Sequence, residues 1–490
     1  MDGDTNGRNE RSALLLLCIL FLTTRLPGLL ALPLFNDEAV YLSRAQHFPD
    51  QFLFTIRDGK LIHELLLAVL AHLPLDPLVS GRLLSVACGW LTVIGLWFSG
   101  KMVADQRAGI LAGLLYICSP LAIVHDLLAI PDAMLTSIAS FVLALSLRLS
   151  QMSNLHRWHA AGVGALVALA SLVKLPGVFL FALPALTMLI RTMPPEQQHR
   201  RWEMVRTALI VTLLAPAAFA PFNYGGAESH KVGALNLMLQ IEHVGQNLYR
   251  IGEWFTIALP LSALIIASIG LATSRNRQKH LFLFLSAGLF CLALAAIGSV
   301  LYPRYILPAW VPILFAAGLS LSQHQQHRVV LRSISAVLTL ITCLWGAFFA
   351  FQYVRNPAYA PLTTADRHQY VETWTAGYHM AEIVHQLRTG AERSGSIILA
   401  SPLQPRLIHL GPTIYLNDDP RIAFIDIDMQ ATDARQQLSD LAARRPLYMA
   451  LDAEEVEAFN IEQRFPELKR IREWRNPYSD MAFFLYVWSP

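Results

Sequence analysis

Apolar runs of roughly twenty residues recur along most of this chain, beginning with SALLLLCILFLTTRLPGLLALPLF at Ser12. As a helix rising 1.5 Å per residue, such a run matches the ~30 Å hydrocarbon core of a bilayer. Inside lipid the backbone must satisfy its own hydrogen bonds, so each run is read as a helix. The composition agrees, with 54% of the 490 residues hydrophobic and 15% charged, where a soluble domain carries about 25%. The fold class expected is therefore an all-α polytopic membrane protein, and a soluble enzyme is excluded. A net charge of +3 gives no argument for a nucleic acid partner.

About eleven spans are expected, over 12–34, 80–101, 107–124, 132–149, 158–173, 175–190, 207–222, 253–273, 279–300, 304–321 and 328–353. The first lacks a clear small-x-small cleavage site and exceeds a signal-peptide core, so it is read as retained. The basic loops RTMPPEQQHRRWEMVR and SRNRQKH, with the milder RLSQMSNLHRW and SQHQQHRVVLR, all fall on one side of this count. Basic loops stay cytoplasmic, which puts the N-terminus inside and the C-terminus outside. LIHELLLAVLAHLPL, from Leu61, is about fifteen residues and too short to span. Counting it would also move every later basic loop outside. It is read as an interfacial helix on the outer surface.

From Asn356 the chain becomes more charged and turn-rich. SIILAS, IAFIDID and PLYMALD read as buried strands, ATDARQQLSDLAARR as a surface helix, and FPELKRIREW with MAFFLYVW as a closing strand pair. Two domains are thus expected: 1–355, the membrane domain with its first outer loop at 35–79, and 356–490, a small C-terminal α/β extracytoplasmic domain. All five cysteines lie in apolar runs and read as small core residues, with no disulfide framework or zinc spacing. Neither GxGxxG nor a P-loop occurs, so a cytoplasmic nucleotide site has no support.

The unusual charges collect on one side of this topology. Asp37 and Glu38 open the first outer loop in FNDEAVYLSRAQHF; His125, Asp126 and Asp132 flank the next outer turn in VHDLLAIPDAML. Lys174 lies in SLVKLPGVF and Arg304 in LYPRYILPAW. Singly, a carboxylate at a helix start can favour the helix N-terminus, and Lys or Arg can snorkel to headgroups. Four outer loops doing so together are better explained by a polar cavity. Cations in such a cavity would hold a phosphate leaving group on a lipid and stabilise its developing charge. A carboxylate would take the proton from an incoming hydroxyl or amine. His230 and His243, in ESHKVGALNLMLQIEHVGQ, read as ordinary loop histidines and not as a metal site.

In order and spacing, NDEAVYLSRA, GRLLSVACGWLTVIGLW, SPLAIVHDLLAIPDAMLT, LVKLPGVFLF and YPRYILPAWVPIL resemble the GT-C class of membrane glycosyltransferases. The nearest branch is that of the bacterial lipid A aminoarabinose transferases and protein O-mannosyltransferases. The resemblance covers about 12–355, and DRHQYVETWTAGYHMAEIVHQL from Asp366 resembles a segment found after the last span in some members. It implies that Asp37 is the catalytic base, with Glu38 its usual neighbour and a structural support, and that Asp132 is the acid of the second outer turn. Lys174 and Arg304 would bind the donor phosphate. Lys60, in GKLIHELL, stands where relatives carry Lys-Pro-Pro, without the prolines; it and Arg57 either reach the phosphate or remain solvated loop charges. Where many relatives carry an arginine before the second acid, this chain has Leu127.

The function expected is transfer of a sugar, hexosyl or pentosyl, from a polyprenyl-phosphate donor to a lipid, glycan or protein acceptor on the non-cytoplasmic face of a bacterial inner membrane. The resemblance implies an inverting reaction. The motifs require no cofactor and leave room for a divalent cation near Asp37 and Asp132. The rival readings are a lipid-linked sugar flippase or transporter, which would show repeat symmetry and mid-membrane charges, and a membrane-anchored assembly protein that works through its tail domain.

Overall fold

The computed structural model describes residues 2–152, 156–190, 198–219, 241–257, 261–274, 277–298, 300–324, 329–403 and 406–489. His230 lies outside the described residues. The chain divides into two compact units: Met1–Leu29, Phe48–Leu66 and Gly81–Thr363 form the first, and Leu30–His47, Leu67–Ser80 and Thr364–Pro490 the second.

The described part of the first unit is helical. Among the described residues, five helices are long and apolar enough to cross a bilayer: Pro77–Met102, Pro131–Gln151, Arg277–Ile297, Pro303–Gln323 and Val329–Arg355. Their surroundings differ. The apolar window of Pro303–Gln323 is 89% buried, and that of Val329–Arg355 only 28%. The first is therefore a central helix, packed through Trp310 and Phe315. The second keeps Leu340, Leu344, Phe348 and Phe351 exposed, the surface a lipid-facing helix presents.

Ser12–Gly28, Arg157–Val173, Leu175–Leu189 and Leu261–Thr273 are apolar but shorter. One expected run is divided. The run at 107–124 becomes Gln106–Ile117 and Pro120–His125, because Pro120 has no N–H to continue a helix but suits the first position of a new one. The run at 253–273 is shared between Ile241–Ile257 and Leu261–Thr273. His243 therefore lies exposed on a helix and not in a loop. The helix Leu61–Leu70 has ten residues, about 15 Å of rise, and cannot cross a bilayer. Cys88, Cys118 and Cys291 are buried, whereas Cys18 and Cys343 are only half-buried.

Among the described residues, the second unit is built on seven strands: β1 (Leu34–Phe35), β2 (Ala376–Gly377), β3 (Ile397–Pro402), β4 (Ile422–Ile427), β5 (Leu447–Asp452), β6 (Leu468–Arg475) and β7 (Ala482–Trp488). The main sheet has the order β4-β3-β5-β7-β6. Strands β4, β3 and β5 are parallel, and β7 runs antiparallel to both β5 and β6. Every strand expected in the tail is present, as is the surface helix, at Ala434–Ala442. Strand β3 is buried along its whole length, as a central parallel strand covered on both faces must be. Ile398, Met449, Leu451, Tyr486 and Phe465 share its core. Edge strand β6 reads LKRIREWR, is mostly exposed, and bulges between Arg470 and Arg472. Charge and a bulge keep such an edge from pairing with another chain.

A smaller pairing ties residues 34–35 into this unit. Leu34 and Phe35 pair antiparallel with Gly377 and Ala376. A Cβ at Gly377 would lie 2.6 Å from the Leu34 carbonyl oxygen, so the close approach requires glycine.

Candidate functional site

In the first unit, Asp132 is the second residue of the Pro131–Gln151 helix, whose first residue is proline. Its carboxylate is buried and lies between two cations. Lys174 Nζ donates to Asp132 Oδ1 at 2.6 Å, and Arg304 Nε stands 3.9 Å from Oδ2. Lys174 ends the Arg157–Val173 helix and precedes a 3-10 turn that Pro176 enforces. Arg304 sits in the 3-10 turn Pro303–Ile306. Both turns therefore hold their side chains on short, proline-fixed backbone. Lys174 Nζ lies 3.8 Å from the Tyr305 ring centroid, and the Arg304 guanidinium 4.5 Å from that of Tyr302. Aromatic faces stabilise such cations by about 0.5–2 kcal/mol each.

Further groups surround this cluster. Lys60 is close enough to repel Lys174 electrostatically, with its own Nζ 3.6 Å from Asp58 Oδ2. His63 feels both lysines, and His125 feels Arg304 and Lys174. Asp132, Lys174 and Arg304 together carry two positive charges and one negative. Arg57 is on the last turn of Phe48–Arg57, with its guanidinium 5.8 Å from the Phe54 ring.

Asp126, from the same turn, is held differently. Arg25 Nε donates to its Oδ2 at 3.1 Å and the Tyr116 hydroxyl to its Oδ1 at 2.8 Å. Arg25 and Asp126 are both fully buried, and Arg25 also donates to the Ile117 carbonyl. A Cβ at Gly89 would lie 2.5 Å from the Asp126 Cγ, so that glycine makes room for the carboxylate. Asp126 is thus a sealed structural acid and not part of a cavity lining. Sequence reasoning missed Arg25, although a lone arginine inside an apolar run is itself a signal for a buried partner.

In the second unit, Asp37 and Glu38 stand in the first turn of the Asn36–Gln46 helix. Asp37 is partly exposed. Glu38 is buried, and its Oε2 accepts from the Phe35 N–H at 3.0 Å, so it fastens the start of the helix. The Asn36 N–H donates to the Thr375 carbonyl, and Gln46 Nε2 to that of Ile414. The helix carrying Asp37 is therefore fixed at both ends.

Among the described residues, no three His, Cys, Asp or Glu side chains gather as metal ligands. Asp132, already between Lys174 and Arg304, offers a donor set suited to an anion; a divalent cation wants several free oxygens. These residues do not fit a metal beside Asp132.

Residues 60–224 match the family described as dolichyl-phosphate-mannose-protein mannosyltransferase. Among solved structures, the chain is similar to ArnT from Cupriavidus metallidurans bound to undecaprenyl phosphate, with 14% identity, a TM-score of 0.59, and 96% of this chain and 97% of that one covered. The apo state of the same ArnT gives 16% identity and a TM-score of 0.57, covering 99% and 98%. An Archaeoglobus fulgidus oligosaccharyltransferase in complex with zinc and sulfate gives 11% identity and a TM-score of 0.51, covering 96% of this chain and 72% of that one. No curated protein sequence matches the chain. The resemblance to GT-C membrane glycosyltransferases is therefore borne out in the fold, which is ArnT-like and ends in a small sheet.

Proposed function

We propose that this chain is an integral membrane glycosyltransferase of the GT-C type, using a sugar on polyprenyl phosphate as donor. The observation that supports this reading best is the buried cluster of Lys174 and Arg304 on Asp132. Two cations held at low exposure beside Asp132 are arranged to receive an anion. A lipid phosphate is the anion that a membrane enzyme meets at that depth. The similarity to an ArnT bound to undecaprenyl phosphate supports the same donor class.

In this reading Lys174 and Arg304 bind the donor phosphate, with Lys60 and Arg57 at its margin. Asp132 holds the two cations in place. An acceptor hydroxyl or amine attacks the anomeric carbon, the bond from that carbon to the phosphate oxygen breaks, and polyprenyl phosphate leaves. The negative charge that grows on the phosphate is stabilised by the two cations. The acceptor's proton passes to Asp37, and Glu38 keeps Asp37's helix start in shape. One displacement inverts the anomeric configuration. Asp37 belongs to the second compact unit, so its role is tested separately from that of the cations.

The proposal extends to placement. Residues 1–355 form the transfer domain, with eleven spans and an interfacial helix from Leu61, and 356–490 form an extracytoplasmic domain. The N-terminus is cytoplasmic and the membrane is a bacterial inner membrane. The transferred sugar is a hexose or pentose, and the acceptor is a lipid, glycan or protein.

The deciding experiment needs no acceptor. The affinity of purified protein for undecaprenyl phosphate is measured for wild type, Lys174→Ala and Arg304→Ala. A charge-assisted hydrogen bond is worth about 1.5–3 kcal/mol, so each variant should bind about ten- to a hundredfold more weakly. No binding, or binding indifferent to both substitutions, would remove the phosphate site and favour a transporter or an assembly protein.

A further inference from the structure

A cavity of about 300 Å³ opens in the second unit, away from every residue assigned above. It lies at the carboxyl ends of β3 and β4, where Ser401 and Asp426 are register partners. One face of the Leu407–Leu416 helix supplies His409 and Thr413, and Asn417 follows at its end. Ser43 and His47, near and just past the end of the Asn36–Gln46 helix that carries Asp37, complete the lining. Phe424 and Leu410 provide apolar surface.

Ligands of parallel α/β sheets bind beyond the carboxyl ends of the strands, usually where connections leave in opposite directions. Here that point falls between β3 and β5, and it is filled. Arg406 donates to both oxygens of Asp452, at 3.0 and 2.8 Å, and to Glu454 at 3.0 Å, with its guanidinium over Trp374. His409 Nε2 stands 3.3 Å from Glu455 Oε2. Burial and the neighbouring Glu455 push the Asp452 carboxyl above its ordinary range, while Arg406 pulls it back. The open volume is displaced by one strand, to the β3–β4 side. Of this ion cluster, His409 reaches the cavity lining.

The lining selects a ligand class. Hydroxyls from Ser43 and Ser401 each donate and accept, that of Thr413 accepts while it donates to the Leu410 carbonyl at 2.7 Å, the Asn417 amide does both, and Asp426 accepts only. Among the described residues, no Lys or Arg lines the cavity, and Asp426 would repel a phosphate or carboxylate. The volume is at the lower end of small-molecule sites, about 300–1,000 Å³, which combine apolar walls with a few placed polar groups. We propose that this cavity binds one uncharged sugar ring, with Asp426 and Asn417 holding its hydroxyls and Phe424 its apolar face.

The position gives the site a purpose. Ser43 and His47 lie six and ten residues beyond Asp37, about 9 and 15 Å along the helix axis. A sugar of the acceptor held here would place a neighbouring part of the same acceptor within reach of Asp37. That assignment to the acceptor rests on the transferase reading, whereas the sugar site itself does not.

The test is saturation-transfer NMR on the full-length protein in a detergent without sugar headgroups. The probes are glucose, galactose and N-acetylglucosamine, with glucose 6-phosphate as the charged comparison. At least one uncharged sugar should receive saturation, and glucose 6-phosphate should not. Asp426 and Asn417 are exposed, so Asp426→Ala and Asn417→Ala should keep the wild-type unfolding midpoint yet weaken binding at least about tenfold. Adding undecaprenyl phosphate should leave the sugar signal unchanged. Silence from all three uncharged sugars overturns the proposal. So does a signal that survives both substitutions, or one that undecaprenyl phosphate displaces. The experiment contains no donor and reads no transfer, so it stands or falls apart from the transferase reading.

Discussion

Asp126 and Asp132 leave the same turn, yet they are held in opposite ways. Asp126 meets one arginine and one tyrosine hydroxyl, and the Arg25–Asp126 pair sums to zero charge in a place without solvent. Asp132 meets two cations, each also resting on a tyrosine ring. A sealed neutral pair costs little more once it has formed, but removing either partner strands a buried charge. Two buried cations side by side repel one another and gain from an arriving anion. The contrast separates an acid that holds the fold from one that holds a site, which neither burial nor sequence position does alone.

If Asp132 serves to hold cations, the proton must go elsewhere, and the largest expected effect tests that. Asp37→Asn should insert and fold normally and lose transfer by about 10²–10⁴, the usual contribution of a general base. Transfer at the wild-type rate would remove Asp37 as the base and end the division of labour. Next comes the sealed pair. Arg25→Ala strands Asp126 and should cost about 3–5 kcal/mol, read as a lower thermal midpoint in detergent. The fraction still folded should bind undecaprenyl phosphate as wild type does. Lys174→Ala should give the mirror image, with weakened binding and a midpoint near that of wild type, because loss of its bond to Asp132 is offset by removing a buried ammonium that Arg304 and Lys60 also repel. If Arg25→Ala lost the lipid and kept its midpoint, the comparison would fail. A smaller effect is expected at Gly89, where an added methyl meets the Asp126 carboxylate at 2.5 Å. Overpacking of this kind costs about 1–3 kcal/mol. A Gly89→Ala protein with the wild-type midpoint would mean that Asp126 has slack, and so is not sealed.

How much of this was legible depended on the range of the signal. The tail strands were readable because each is a short β-rich run bounded by turns, and the pattern lies within the run. The β1–β2 pairing was not. It joins two-residue strands from opposite ends of the chain, and no local pattern marks either. Asp132, Lys174 and Arg304 stood out as charges at the ends of apolar runs. That Lys174 and Arg304 converge on Asp132 depends on helix packing, which a sequence does not print. Arg25 hid because TTRLPG looked like part of the first apolar run. Tyr302 and Tyr305 hid because spacing does not say which way a ring faces. The break at Pro120 was visible as a proline, and only its consequence, two helices in place of one, needed the structure.

The smallest expected effect falls on Glu38, the neighbour of the proposed base, and it sharpens the comparison most finely. Glu38 is buried and its oxygen takes the Phe35 N–H, much as Asp126 takes the Tyr116 hydroxyl. By that likeness it belongs with the acids that hold structure. Glutamine keeps an oxygen for the same N–H and loses only the charge at the helix start, worth about 0.3–1 kcal/mol. Glu38→Gln should therefore lower the thermal midpoint slightly and slow transfer by no more than a few fold. A loss as deep as that of Asp37→Asn would make Glu38 a reacting acid, and burial with a backbone partner would no longer distinguish the acids that hold the fold from those that do chemistry.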